Sequence, residues 1–223
     1  LHVAIARPTM SEPRAVLGVV LAGGASKRMP EGKPGAALAG QSLLARAVAV
    51  VRDAELEPVV CAPQGARLPE VHAPRWIEAA EADAPRHPLA GIAWALEHAA
   101  APIVVLPVDL PFLPSSALRD LAAAPSPGAV LGTGGRPAAL VAQLHPHLAA
   151  PLRAAAREGA PALRTLLALG VTISELRVES GSLSAAEALL NVNDPATLAE
   201  AERLAAELRS RANAPDPEPG GAV

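Results

Sequence analysis

Short apolar runs that alternate with longer segments of helical period are what most constrain this chain. Ala15 to Leu21 is the first such run, and Leu43, Leu44, Ala47, Val48 and Val51 then recur at spacings of three and four, as on one helix face. Pro58 to Ala62 and Arg75 to Glu78 read as the second and third strands, Gly91 to Ala99 as a helix, and Ile103 to Val108 as a central strand. Strands that are apolar throughout must be covered on both faces, so helices are needed on each side of the sheet. The pattern predicts an α/β fold, a three-layer, Rossmann-like, mostly parallel sheet with helices on both faces.

Further along, Ser115 is placed to cap a helix through Ala123, and Ala129 to Leu131 and Ala138 to Leu144 read as later strands. Helices are expected over Leu148 to Arg157, Ala162 to Leu169 and Pro195 to about Arg211, the last with Pro195 in its first turn and Asp194 as its cap. No internal repeat or interior linker divides the chain. The expected organisation is a flexible leader over 1–14, one domain over 15–211 and a Pro- and Gly-rich disordered tail over 212–223.

Charge and composition remove several function classes. The net charge of -3, with Trp76, Trp94 and Phe112 the only aromatic residues, offers neither a basic field nor a stacking surface for nucleic acid. Hydrophobic residues make up 51% of the chain, yet Asp, Glu, Arg or Pro interrupt every apolar run before it reaches membrane-spanning length. Leu1 to Met10 is too short, and too broken by Arg7 and Pro8, for a secretory signal. Cys61, the one cysteine, has no partner for an internal disulfide and suits a reducing cytoplasm as a small buried hydrophobe. The expected setting is cytoplasmic, with no nucleic-acid or membrane partner. His145 and His147 straddle Pro146 with no Cys, Asp or Glu close by, so they read as loop residues and not as a zinc site; His72, His87 and His98 are scattered.

The stretch Leu21-Ala22-Gly23-Gly24-Ala25-Ser26-Lys27-Arg28-Met29-Pro30-Glu31-Gly32-Lys33 follows the first strand directly. In an open parallel sheet, ligands sit beyond the carboxyl ends of the strands, where glycine lets backbone N–H groups approach phosphate oxygens. Ser26 adds a donor, and Lys27, Arg28 and Lys33 add positive charge, so an anionic ligand is implied. The loop is not a Walker A motif, because Lys27 stands where the first glycine would be and Pro34 follows Gly32-Lys33 in place of Ser or Thr. Nor can G-x-G-x-x-G be laid on it.

This stretch resembles the L-A-G-G-x-S-x-R-M-G-x-x-K signature of the molybdenum cofactor guanylyltransferases and related nucleotidyltransferases, departing at Pro30, where those proteins usually carry glycine. Pro88-Leu89-Ala90-Gly91 is similar to their P-L-A-G segment. Val105-Leu106-Pro107-Val108-Asp109-Leu110-Pro111 is similar to their strand ending in a metal-binding aspartate, and Asn191-Val192-Asn193-Asp194-Pro195 to their N-x-N-x-P element. The likeness spans about Val16 to Glu202. It implies a nucleotide-diphospho-sugar transferase type of fold and transfer of GMP from GTP to the terminal phosphate of molybdenum-molybdopterin, with release of pyrophosphate. Mg²⁺ is the implied cofactor, held by Asp109, and Arg28, Lys33 and Asp109 are the implied catalytic residues. The nucleotide would meet Leu21, Ala22, Gly23, Gly24, Ser26, Lys33, Pro88, Leu89, Gly91 and Asp109, and the molybdopterin-type acceptor would meet Asn191 and Asn193, with Asn193 able to complete either the metal or the acceptor site. Transient contact with molybdoenzymes or other proteins of cofactor biosynthesis is implied as well.

The base end departs from that pattern. Cys61 and Ala79 stand at or near the places where GTP-using relatives tend to carry Asn and Asp, which leaves Glu78 or Glu81 to accept hydrogen bonds from a guanine edge. Arg136-Pro137 corresponds in order to an Arg-containing acceptor loop. Two other readings stay open on sequence alone: cytidylyl or other nucleotidyl transfer to a different phosphorylated acceptor, and a non-catalytic nucleotide-binding regulator. Gly23 favours the guanylyl branch over the first, and the retention of both Lys33 and Asp109 argues against the second.

Overall fold

The computed structural model describes residues 15–23, 29, 32–78, 87–178 and 183–212. The expected leader over 1–14 lies outside them, as do 213–223 of the expected tail; Ala212 belongs to the last helix.

The first half builds as its apolar pattern demands. Strand β1 (Leu17–Leu21) is followed by a single turn α1 (Gly32–Gly35), a small antiparallel pair β2 (Ala37–Leu38) and β3 (Gln41–Ser42), and helix α2 (Leu43–Asp53). Ser42 caps α2, its hydroxyl accepting from the Ala45 N–H at 3.2 Å, and Leu43, Leu44, Ala47, Val48 and Val51 form its buried face. Then come β4 (Glu57–Pro63), β5 (Arg75–Glu78), α3 (Pro88–Ala99) and β6 (Ile103–Pro107).

The second half holds α4 (Ser115–Ala122), β7 (Gly128–Thr133), β8 (Arg136–Leu144), α5 (Ala149–Arg157), α6 (Ala162–Ala168), β9 (Thr172–Glu175), α7 (Ala185–Ala188) and α8 (Pro195–Ala212). Ser115 is not the cap of α4. Pro114 enters in extended conformation at the cap position and Ser115 is already the first helical residue, so the chain turns one residue earlier than the serine suggests. Asp194 does cap α8, its Oδ1 accepting from the Thr197 N–H at 2.9 Å.

Among the described residues, seven strands form one sheet in the order β5-β4-β1-β6-β8-β7-β9. β1 pairs in parallel with both β4 and β6, and β4 with β5; β8 alone runs antiparallel to its neighbours β6 and β7, while β9 is parallel to β7. The reversal at β8 comes from a hairpin through Gly134 and Gly135, whose φ values of 58° and 75° lie in the left-handed region that glycine enters without a Cβ penalty.

Successive residues of the central strands face opposite layers. Val20, Val104 and Leu106 pack with α2 and α4, whereas Val19, Ile103 and Val105 pack with α3, α5 and α6. Each fully buried Leu, Ile or Val contributes about 1.5–3 kcal/mol to stability, so this two-sided burial is the main source of cohesion. A third, smaller cluster of Met29, Ala36, Leu38, Leu43, Phe112, Val192, Ala201, Leu204 and Ala205 seats α8 beside the end of the sheet.

The approach of β1 to α2 is set by Gly18. A Cβ there would lie 2.2 Å from Val51 Cγ1 and 3.2 Å from Leu56 Cβ. Gly18→Ala is expected to destabilise the fold by about 1–3 kcal/mol through overpacking. Urea unfolding checks this, and a change under about 0.5 kcal/mol, the scale of a neutral surface substitution, would show that α2 is free to shift outward.

Candidate functional site

Leu21 stands opposite Pro107 across the β1–β6 pair, so the chain leaves both strands from adjacent positions at the carboxyl end of the sheet. This is where the order of strands reverses direction about β1, the usual place for a ligand crevice in an open α/β sheet. Gly32 receives the chain with φ of 71° and donates its N–H to the Met29 carbonyl at 3.0 Å, which turns Lys33 back toward the sheet.

Three side chains from distant parts of the sequence converge there. Lys33 Nζ lies 2.8 Å from Asp109 Oδ2, and it also donates to Asn193 Oδ1. The lysine and aspartate side chains are 20% and 16% exposed, so the pair is shielded from bulk water yet reachable by a ligand. The backbone reinforces the meeting, since the Val192 N–H donates to the Asp109 carbonyl at 2.8 Å.

The small third cluster explains why these groups meet. Met29 precedes Lys33 in the loop, Phe112 follows Asp109, and Val192 adjoins Asn193; all three are buried in the same apolar patch under α8. Glu202 of α8 ties in the β2–β3 turn by accepting the Ala39 N–H at 2.8 Å. Sequence reasoning assigned no role to Met29, Val192 or Glu202. The central position of Val192 between two asparagines was the available signal, because an apolar residue in a polar loop usually marks a buried anchor.

The other expected site residues are distributed along the same end of the sheet. Gly23 follows β1, and a Cβ on it would lie 3.0 Å from Pro63 Cδ at the end of β4. Ala22 is buried and donates its N–H to the Cys61 carbonyl at 2.8 Å. Pro88 and Leu89 open α3, where His87 Nδ1 accepts the Leu89 N–H at 3.2 Å; the Leu89 side chain is wholly buried and packs in the core. Gly91 faces Glu78, whose Oε2 is 3.8 Å from where its Cβ would be. Asn191 is exposed. Gly24, Ser26, Lys27 and Arg28, together with Ala79 and Glu81, lie outside the described residues.

Cys61 is buried among the residues that face α3, and burial, with the Glu78 carboxylate as a second cause, pushes its thiol up to about 12. It therefore stays a neutral core group. His145 is held below the usual imidazole range by burial first and by His147 second, and its Nε2 is buried without a hydrogen-bond partner. No group of His, Cys, Asp or Glu with metal-binding geometry occurs among the described residues. Likewise no described helix is long and apolar enough to cross a membrane.

Fold and site together define an α/β domain of the nucleotidyltransferase type. Residues 18–180 match the model of the MobA-like NTP transferase domain. The chain is 33% identical over 211 residues, 87% of its own length and 95% of the other's, to a molybdenum cofactor guanylyltransferase from Rhizobium johnstonii. Among solved structures, molybdopterin-guanine dinucleotide biosynthesis protein A from Archaeoglobus fulgidus superposes with a TM-score of 0.64 at 20% identity, covering 86% of this chain and 100% of that one. A manganese complex of Rv0371C from Mycobacterium tuberculosis H37Rv gives a TM-score of 0.58 at 18% identity, with 86% and 100% covered. The chain belongs to the MobA-like NTP transferase family.

The burial of Cys61 has a direct chemical readout. Only the thiolate is alkylated readily, so at pH 8 native protein is expected to react with iodoacetamide at least about 100-fold more slowly than protein unfolded in urea. Equal rates would mean that the Cys61 side chain opens toward the ligand end of the sheet.

Proposed function

We propose that this protein transfers the GMP moiety of GTP to the terminal phosphate of a molybdopterin-type acceptor and releases pyrophosphate. The observation that carries the proposal is the convergence of Lys33, Asp109 and Asn193 beside the glycine-bearing loop after β1. The name of the Rhizobium johnstonii relative, which matches nearly the whole chain, supplies the substrate class.

In this reading an acceptor phosphate oxygen bonds to the α-phosphorus of GTP while the bond to the bridging oxygen breaks, and that oxygen leaves as part of pyrophosphate. The attacking phosphate is already anionic near neutral pH, so no strong general base is required. The barrier lies in bringing two anions together and in stabilising charge on the transferring group. Lys33 offers an ammonium to the phosphates, and the backbone after β1 offers N–H donors near Gly23. The parts assigned to Gly24, Ser26 and Arg28 rest on the sequence motif, and that of Asn191 on its place in N-x-N.

The donor set suits a hard divalent cation: a carboxylate oxygen of Asp109 and an amide oxygen of Asn193 already meet at one positive charge. These two residues would hold Mg²⁺, which when bound neutralises triphosphate charge. For the base, Cys61 is turned into the core, and the candidates for the guanine edge stay the Glu78 carboxylate, near Gly91, and Glu81, which lies outside the described residues.

Two measurements test the assignment. With Mg²⁺ present, GTP is expected to raise the melting temperature more than CTP or ATP does, because preferential binding stabilises the folded state; a larger shift with CTP would replace guanylyl by cytidylyl transfer. Asp109→Asn is expected to lower pyrophosphate release by about a hundredfold or more with unchanged circular dichroism. Overlapping curves of rate against Mg²⁺ concentration for parent and variant would remove Asp109 from the metal site.

A further inference from the structure

Lys33 does more in this structure than wait for phosphate. Its ammonium sits between the two oxygen donors that a metal would use, Asp109 Oδ2 at 2.8 Å and Asn193 Oδ1. These acceptors lie 76 and 160 residues away along the chain, and the buried anchors Met29, Phe112 and Val192 bring all three segments together. A shielded carboxylate facing an amide oxygen needs a positive charge nearby, since an unpaired charge out of water is costly. The chain supplies that charge itself.

We propose that Lys33 is the resident cation of the metal position, holding Asp109 and Asn193 until nucleotide draws it away, so that nucleotide and metal bind with positive coupling. This inference rests on the metal-assisted reading of the site given above. A divalent ion and the ammonium cannot occupy the same place, because they compete for the same oxygens and repel each other at short range. The metal alone must therefore displace Lys33, and its affinity for the nucleotide-free protein is lowered by that competition. A triphosphate offers Lys33 a more highly charged partner than one carboxylate, and as Lys33 turns to it the two oxygens become available to the metal. By linkage, the factor by which nucleotide raises metal affinity equals the factor by which metal raises nucleotide affinity. The same contact keeps the two donors in place in the free protein, which reduces the ordering needed on binding.

Mn²⁺ binding, followed by loss of the free-ion signal in electron paramagnetic resonance, tests this without any turnover. In the absence of nucleotide, Lys33→Met and Lys33→Gln are each expected to bind Mn²⁺ about tenfold or more tightly than the parent, since both remove the competing charge. Adding Asp109→Asn to Lys33→Met is expected to abolish the gain. Two uncharged replacements at a position 20% exposed guard against loss of one variant to misfolding. Parent-like affinity in both variants, or a gain that survives Asp109→Asn, overturns the proposal. A third arm measures Mn²⁺ retention by the parent with α,β-methylene-GTP, against the analogue alone. Retention there without a gain in the Lys33 variants overturns the resident-cation role but leaves the metal reading standing, whereas no retention overturns both.

Discussion

The parallel pairing of β1 with β6 is the constraint on which the rest of this structure depends. It places Leu21 opposite Pro107, so the glycine-bearing loop and the segment with Asp109 leave the sheet side by side. The pairing is stable because both strands are buried on two faces. Val19 and Val105 meet α3 and its neighbours, and Val20 and Leu106 meet α2 and α4. Neither layer alone would hold the strands, since each covers only every second side chain.

A sheet of this kind brings two loops together, but the site needs a third segment. That contribution comes from α8 and the residues leading into it. Val192 is buried with Met29 and Phe112, and its N–H is bonded to the Asp109 carbonyl at 2.8 Å. The polar trio of Lys33, Asp109 and Asn193 thus stands on an apolar footing made by residues close to each of them in sequence. Hydrophobic burial supplies the cohesion, and the polar contacts select among arrangements that burial alone would permit.

The electrostatics around Lys33 and around Cys61 differ. Around Lys33 a positive charge is held by a carboxylate oxygen of Asp109 and an amide oxygen of Asn193. Around Cys61 burial holds a neutral thiol beside the Glu78 carboxylate, and nothing there favours ionisation.

How much was legible in the sequence follows from the range of the interactions involved. Apolar runs and three-to-four spacing reflect burial along one element, so β1, α2, β4, α3 and β6 could be read with boundaries off by a few residues. The Gly-Gly between Thr133 and Arg136 is a local hairpin signal, whereas the antiparallel pairing of β8 with β6 is a long-range contact that no local pattern carries. Strands β2 and β3 are two residues each, too short to carry a period, and β9 has a single apolar residue, Ile173, among its four. The motif order singled out Lys33, Asp109 and Asn193 individually, because residue type and place after a strand are local properties. That the three share one contact was decided only by tertiary structure. It depends on strand order, on a reversal at Gly32 and on burial of Met29, Phe112 and Val192 in one patch, and no local pattern encodes the packing of segments so far apart in the chain.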